Sequence, residues 1–180
     1  MNPAALLRAG LLGAALLVDG CATPPSHEEM TLPQPGEAVR PTGRSVTVGP
    51  VSGGRQTRAW DVPTIEDDAF RGALVETLRT SRLFDPVSTD PGGAYQLSAE
   101  IVSQQISGTF DNTIMLLVHY ELVEAGNGRS LWAGNIYSQQ ELSARDVFAG
   151  QERMRRLQTM AVRDNLRQLL GQLDRALRQP

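Results

Sequence analysis

The sequence predicts an α/β domain of the α+β type, a two-layer sandwich of about four mostly antiparallel strands covered by two helices, in the order β-α-β-β-β-α. Two observations predict it. Apolar and polar residues alternate through much of residues 94–141, which is typical of neighbouring strands with one buried face. Residues 65–82 and 147–178 instead carry apolar residues at helical spacing. No internal repeat interrupts this order.

The first strand and the first helix open the domain. Residues 45–51 alternate β-branched and small side chains and reach a Gly-Pro pair, which indicates a strand. The helix over 65–82 is predicted to begin near Thr64, a residue type that caps a first turn, and to bury Phe70 and Leu74 on its inner face.

Three strands are predicted to follow as a meander. Residues 94–107 alternate cleanly, as expected of a strand with one buried face. Residues 113–124 are apolar on both faces in their first half, which indicates a central strand. Asn127-Gly128 is a strong hairpin signal, and 129–141 is predicted to be the returning strand.

The last predicted helix is long enough to cover a sheet face. Residues 147–178 contain no proline, and a stripe that includes Leu157, Leu166 and Leu173 recurs at helical spacing. Most of the arginines in this segment are predicted to lie off the stripe, on the solvent side.

Residues 1–20 are predicted to be a removable signal peptide. Arg8 precedes an uncharged run, 9–18, whose ten residues rise about 15 Å as a helix, half of a hydrocarbon core of about 30 Å. The run ends at Gly20 and Cys21, and this string resembles the lipobox of bacterial lipoproteins. That resemblance implies cleavage between Gly20 and Cys21 and a lipid on the Cys21 thiol.

One residue departs from the lipobox pattern, and it leaves an alternative open. Asp19 stands where lipoboxes carry a small uncharged residue. The alternative is an ordinary secretory signal cut after Ala22, which would leave a soluble periplasmic protein. A reactive or metal-binding thiol is disfavoured, because Cys21 has no basic, histidine or cysteine neighbour.

The segment after the signal is predicted to be a tether. Residues 21–44 carry the lipid anchor and five prolines with little apolar periodicity, and 45–180 form the periplasmic domain. Pro-rich chain extends by about 3.1 Å per residue, so this segment would allow a reach of about 70 Å.

Composition excludes several classes of function. The net charge of −3 argues against a nucleic-acid binder. No apolar run after the signal approaches 18 residues, so any membrane attachment is predicted to be through lipid. No catalytic residue, metal or cofactor is predicted: His119 and Glu121 make an incomplete metal pair, and the glycine-rich residues 52–55 lack the lysine of a phosphate-binding P-loop.

Two surfaces are predicted as candidate partner sites. Met115 and Leu117 lie on the strand face opposite the core and would form an apolar strip if no element covers them. The alternative is that the helices or the tether bury them. Arg153, Arg156 and Arg163 belong to a basic stretch of the last helix that would meet lipid or lipopolysaccharide (LPS) phosphates. Its alternative is a solvated helix face with i,i+4 partners.

The domain as a whole resembles a largely uncharacterised family of small bacterial envelope lipoproteins, over about residues 45–178. It is also similar, in the order of its elements, to the LPS-assembly lipoprotein and to auxiliary lipoproteins of ABC-type transport systems. The residues that carry the resemblance are Phe70-Arg71-Gly72-Ala73-Leu74, Leu78, Phe84, Tyr95-Gln96-Leu97, Tyr120-Glu121-Leu122, Gly128-Arg129-Ser130-Leu131-Trp132, Glu152-Arg153 and the helix 161–173 with Asn165.

This resemblance implies a role without catalysis. It implies an outer-membrane lipoprotein that faces the periplasm and assists LPS or lipid assembly or transport by binding a larger partner, a β-barrel or an ABC transport component. Ala22, where an Asp would signal inner-membrane retention, favours the outer membrane. The alternative is a periplasmic module that holds an LPS, phospholipid or glycan ligand between sheet and helices.

Overall fold

The computed structural model describes residues 23–34, 40–58 and 62–178. Within these ranges the chain forms one sheet and three helices. In chain order the elements are α1 His27–Met30, β1 Val46–Ser52, α2 Asp67–Ser81, β2 Val87–Ser88, β3 Tyr95–Ser107, β4 Asp111–Glu124, β5 Arg129–Ser143 and α3 Gly150–Ala176. The signal peptide, Gly20 and Cys21 lie outside the described residues.

The sheet has five strands rather than about four, in the order β2-β1-β3-β4-β5. β1 is parallel to both of its neighbours, and β3, β4 and β5 form the expected antiparallel meander. The additional strand is β2, a two-residue segment in which Val87 pairs with Val46 and Ser88 pairs with Thr47. Two residues cannot show an alternation, so β2 carries no periodic signal in the sequence.

The helices cover one face of the sheet, as predicted. The alternating residues Ile114, Leu116, Val118 and Tyr120 of β4 point into this layer and are fully buried. α3 packs on β4 and β5, while α2 packs on β1. The fold is therefore a mixed α+β sandwich with a single core between sheet and helices.

Both long helices begin later than predicted. α2 begins at Asp67 with Glu66 as its N-cap, and no side chain caps it. Thr64 does not serve as the cap, because its hydroxyl donates a hydrogen bond to the Arg55 carbonyl at 2.6 Å. α3 begins at Gly150 instead of residue 147, and Ala149 at its N-cap has no side chain that could cap it.

The predicted free tether is wrong for residues 23–34. Met30 and Leu32 are 0% and 1% exposed and belong to the core. The Leu32 N–H donates to the Thr77 hydroxyl at 3.1 Å, and the Arg163 Nε donates to the Thr31 carbonyl at 3.1 Å. The segment lies across α2 and α3. This position is favourable because it removes the apolar surface of Met30 and Leu32 from water.

A short helix fixes this segment in place. Ser26 and Glu29 form a capping box at the start of α1, with each side chain bonding the other's backbone N–H. Arg155 of α3 forms an ion pair with Glu29. Gly72 of α2 permits the close approach, because a Cβ atom at that position would lie 2.9 Å from the His27 Cβ. Ordinary packing contacts and a surface ion pair together hold α1 on the domain.

One polar network crosses the core. The Tyr120 hydroxyl donates to the Asn165 Oδ1 at 2.7 Å, and the Asn165 Nδ2 donates to the Ile136 carbonyl at 3.0 Å. Tyr120 and Asn165 are both fully buried. Burial raises the pKa of the Tyr120 phenol well above its ordinary value, so the hydroxyl remains protonated and acts as the donor. The network joins β4, β5 and α3.

Candidate functional site

No described element covers the sheet face opposite the helices. Leu117 lies in its centre, paired with Ser103 on β3 and Tyr137 on β5. Tyr137 is 49% exposed, and Val102, at the bulge of β3, is 50% exposed. Met115 and Leu117 are half-buried on this face, which is where the alternation placed them.

Polar side chains border this apolar strip. His119 follows Leu117 on the same face, and its Nδ1 lies 2.8 Å from the Asn135 Oδ1. Glu121 shares the face, and Glu100 of β3 is the register partner of His119. The described residues contain no group of three or more His, Cys, Asp or Glu that could hold a metal ion. We name the outer surface of β3, β4 and β5 the uncovered face.

The arginines of α3 do not form one basic surface, which corrects the sequence interpretation. Arg155 and Arg156 both donate hydrogen bonds to Glu152, at 2.6 and 2.7 Å. These bonds, of which the one from Arg156 has the larger effect, hold the pKa of the Glu152 carboxyl below its ordinary value. Arg163 bonds the Thr31 carbonyl, and Arg167 lies 3.6 Å from the Asp164 carboxylate. Intramolecular partners therefore account for most of the stretch.

Arg153 is the clearest departure from that prediction, because it is 7% exposed. Its Nε donates to the Asn112 Oδ1 at 2.6 Å, and its Nη1 donates to the carbonyls of Val147 and Phe148 at 2.7 and 3.2 Å. Among the described residues, its Nη2 has a single partner, the Thr109 carbonyl, at the long distance of 3.5 Å. Arg153 is thus not part of an exposed partner surface.

Arg153 lines a cavity of about 690 Å³ at the N-terminal end of α3. The cavity lies between the β3–β4 turn with the adjoining strand ends, the loop after β1 and the first three turns of α3. Its described lining residues are Arg55, Val62, Pro63, Thr64, Gln104, Ile106, Gly108, Thr109, Asn112, Gly150, Gln151, Arg153, Met154 and Gln158. Two of these are arginines and none is acidic. No sequence pattern predicts this cavity, because its described walls come from three separate parts of the chain.

The glycine-rich loop at 52–55 contributes to the cavity, although it is not a phosphate-binding loop. The Gly54 N–H donates to the Asp67 carboxylate at 2.7 Å, so this amide is already occupied by an anionic group of the chain itself. Arg55 is the residue of the loop that lines the cavity, and its Nη2 donates to the Gln104 carbonyl at 3.3 Å.

Two phenylalanines are exposed beside the cavity. Phe110 is 77% exposed in the β3–β4 turn, and Phe148 is 92% exposed in the loop before α3. Both line a neighbouring depression, and each is close in the chain to a residue of the cavity wall. Because both side chains border one depression, they form a contiguous apolar patch, and such patches mark interaction sites.

Among the described residues, no helix has the length and apolar character needed to cross a membrane.

The fold is similar to that of several solved bacterial proteins. A Xanthomonas campestris protein of the family DUF330 has a TM-score of 0.64 at 10% identity, over 79% of this chain and 90% of that chain. The PelC dodecamer from Paraburkholderia phytofirmans has a TM-score of 0.51 at 16% identity, over 74% and 89%. A minor lipoprotein of Acinetobacter baumannii has a TM-score of 0.47 at 12% identity, over 73% and 92%.

No protein-family model and no curated protein sequence matches the chain. At identities this low, the likeness to the DUF330 protein and to PelC concerns the fold alone.

Proposed function

We propose that the protein is a non-enzymatic lipoprotein of the outer membrane, anchored through Cys21 and facing the periplasm. In this role it assists the assembly or transport of envelope lipid or LPS by binding a larger protein, a β-barrel or an ABC transport component. The lipobox resemblance supports the anchor, and the uncovered face supports the partner.

The observation that carries this proposal is the composition of the uncovered face. Leu117, Met115 and Tyr137 form an apolar centre with a polar border, which is the arrangement of a protein-binding surface. The charged border residues Glu100 and Glu121 are acidic. An acidic border repels phospholipid and LPS phosphates and favours a protein that presents basic side chains around an apolar patch.

Replacing Leu117 with glutamate should lower partner binding at least tenfold, because it places a charge in the apolar centre of the interface. A photoreactive amino acid at Tyr137 would report binding in intact envelopes, as the yield of crosslinked protein measured by mass spectrometry. Thr80→Glu, which adds the same charge to an exposed position at the end of α2, is the matched control and should leave the yield unchanged.

Equal crosslinking in the Leu117→Glu and Thr80→Glu proteins would overturn the assignment of this face. So would a crosslink only to a second copy of this chain, an assembly of the kind that the PelC dodecamer's name reports.

Replacing Cys21 with serine should move the protein from the membrane fraction to the soluble periplasmic fraction, because it removes the thiol that would carry the lipid. Fractionation and immunoblotting measure this, with Thr23→Ser as a control that leaves the cysteine in place. Retention of the Cys21→Ser protein in washed membranes would contradict a lipid anchor.

A second candidate function is favoured by the cavity at the start of α3. A space of about 690 Å³ with mixed apolar and cationic lining is of the size that proteins use for small ligands. We therefore also propose that the protein is a lipid-binding module, either alone or while docked on its partner.

A further inference from the structure

We propose that the cavity binds the phosphate headgroup of an anionic phospholipid, with Arg153 as the buried cation that holds the phosphate. This assignment rests on the second function proposed above, and it names the ligand class and the residue that recognises it. It does not depend on the uncovered face.

Arg153 places a positive charge in the wall of the cavity. Arg153 is 7% exposed, and among the described residues no carboxylate lies within ion-pair distance of its guanidinium. Its partners are an amide oxygen and backbone carbonyls, which are neutral. A buried charge without a counter-ion is costly, and an anion in the cavity would remove that cost.

The geometry of the guanidinium leaves one nitrogen, Nη2, with spare hydrogen-bonding capacity for such an anion. Nε and Nη1 make bonds of 2.6 and 2.7 Å within the protein, whereas the one partner of Nη2 in the described part of the chain is the Thr109 carbonyl at 3.5 Å. Arg55, at the same cavity, uses its Nη2 for a 3.3 Å bond to Gln104 and places a second positive charge there. Two guanidinium groups around one space suit a phosphate, which accepts several charge-assisted hydrogen bonds.

The start of α3 adds backbone donors to the same wall. Gly150 and Gln151 line the cavity and belong to the first turn of a 27-residue helix whose N-cap, Ala149, offers no capping side chain. The N–H groups of such a turn have no partner within the helix and favour an anion. They supplement Arg153 and do not by themselves define the site.

The remaining lining residues indicate that the ligand also has apolar and hydroxyl parts. Val62, Ile106 and Met154 provide apolar wall, and the exposed Phe110 and Phe148 extend the apolar surface beside the cavity. The cavity wall also includes Gln158, a fully buried residue whose Oε1 lacks a hydrogen-bond partner among the described residues. A phosphoglycerol group with acyl chains matches all of these parts. Its phosphate is an anion for Arg153, its hydroxyl groups are donors for the Gln158 Oε1, and its acyl chains suit the apolar wall.

Three probes separate the parts of this ligand. Dioctanoyl phosphatidylglycerol carries chains and phosphate, dioctanoylglycerol carries the chains alone, and glycerol 3-phosphate carries the phosphate alone. Binding of each to the full chain, purified in a neutral detergent, is measured by calorimetric titration and native mass spectrometry. We expect saturable binding of the phosphatidylglycerol, and at least tenfold weaker binding of the two partial probes.

Variants then locate the binding. Arg153→Gln should weaken phosphatidylglycerol binding about tenfold to a hundredfold, since hydrogen bonds to charged groups contribute on this scale. Phe148→Ser changes a side chain that is 92% exposed, so it should leave the fold intact and weaken binding by about tenfold through lost apolar contact. Arg156→Gln, which removes an exposed positive charge from the same helix outside the cavity, should change it less than about twofold.

The outcomes are distinguishable. If the native chain binds phosphatidylglycerol and both Arg153→Gln and Phe148→Ser bind it equally well, the site is wrong while the lipid-binding function stands. If glycerol 3-phosphate binds as tightly as the lipid, the cavity is a free-phosphate site and the lipid proposal is overturned. If no probe binds the native chain, both the site and the second function are wrong.

Discussion

Replacing Leu32 with alanine is expected to lower the free energy of unfolding by about 2–5 kcal/mol, which is the usual cost of a large-to-small change in a core. Leu32 is 1% exposed and belongs to the same apolar cluster as the strands, although it lies in a proline-rich segment. Urea denaturation followed by far-ultraviolet circular dichroism measures the change.

The matched control is Gln34→Ala, two residues further on and exposed, which should change stability by no more than about 0.5 kcal/mol. A loss below about 0.5 kcal/mol for Leu32→Ala as well would mean that the segment does not pack on the domain in solution. The two substitutions therefore test the docking of residues 23–34 directly.

Replacing Asn165 with leucine is expected to cost about 2–5 kcal/mol, although the two side chains are similar in volume. The change leaves the Tyr120 hydroxyl and the Ile136 carbonyl without their partner in a fully buried region. Each unsatisfied buried group costs about 1–3 kcal/mol. The same denaturation experiment measures the effect.

Tyr120→Phe completes the comparison. Alone, it removes the donor to the Asn165 Oδ1 and should cost about 1–3 kcal/mol. In the double variant the unpaired hydroxyl is gone, so the combined loss should be smaller than the sum of the two single losses. Strict additivity would show that the two side chains do not form this hydrogen bond.

The period-two pattern was sufficient to predict most of the sheet. In β4 it placed Met115 and Leu117 on the face opposite the core, and the structure agrees, because Ile114, Leu116 and Val118 between and beside them are buried. Face assignment succeeds here because a one-residue shift in a strand would move every apolar side chain to the wrong side.

Burial that depends on distant segments was not predictable in the same way. Met30 and Leu32 stand alone among polar residues and prolines, and their burial depends on a surface that α2 and α3 create together. The cavity depends on three separate parts of the chain. Arg153 did carry a signal, because it precedes the buried Leu157 by four residues and therefore shares its helix face.

With the proposed lipid on Cys21, the docked N-terminal segment would also set the height of the domain above a membrane. Only four chain steps separate Cys21 from Pro25, which is already buried. At about 3.6 Å per residue, a lipid on Cys21 would hold this edge of the domain within about 14 Å of the bilayer surface. The protein would then diffuse in two dimensions with little freedom to tumble, and any partner would have to present its docking surface close to the headgroups.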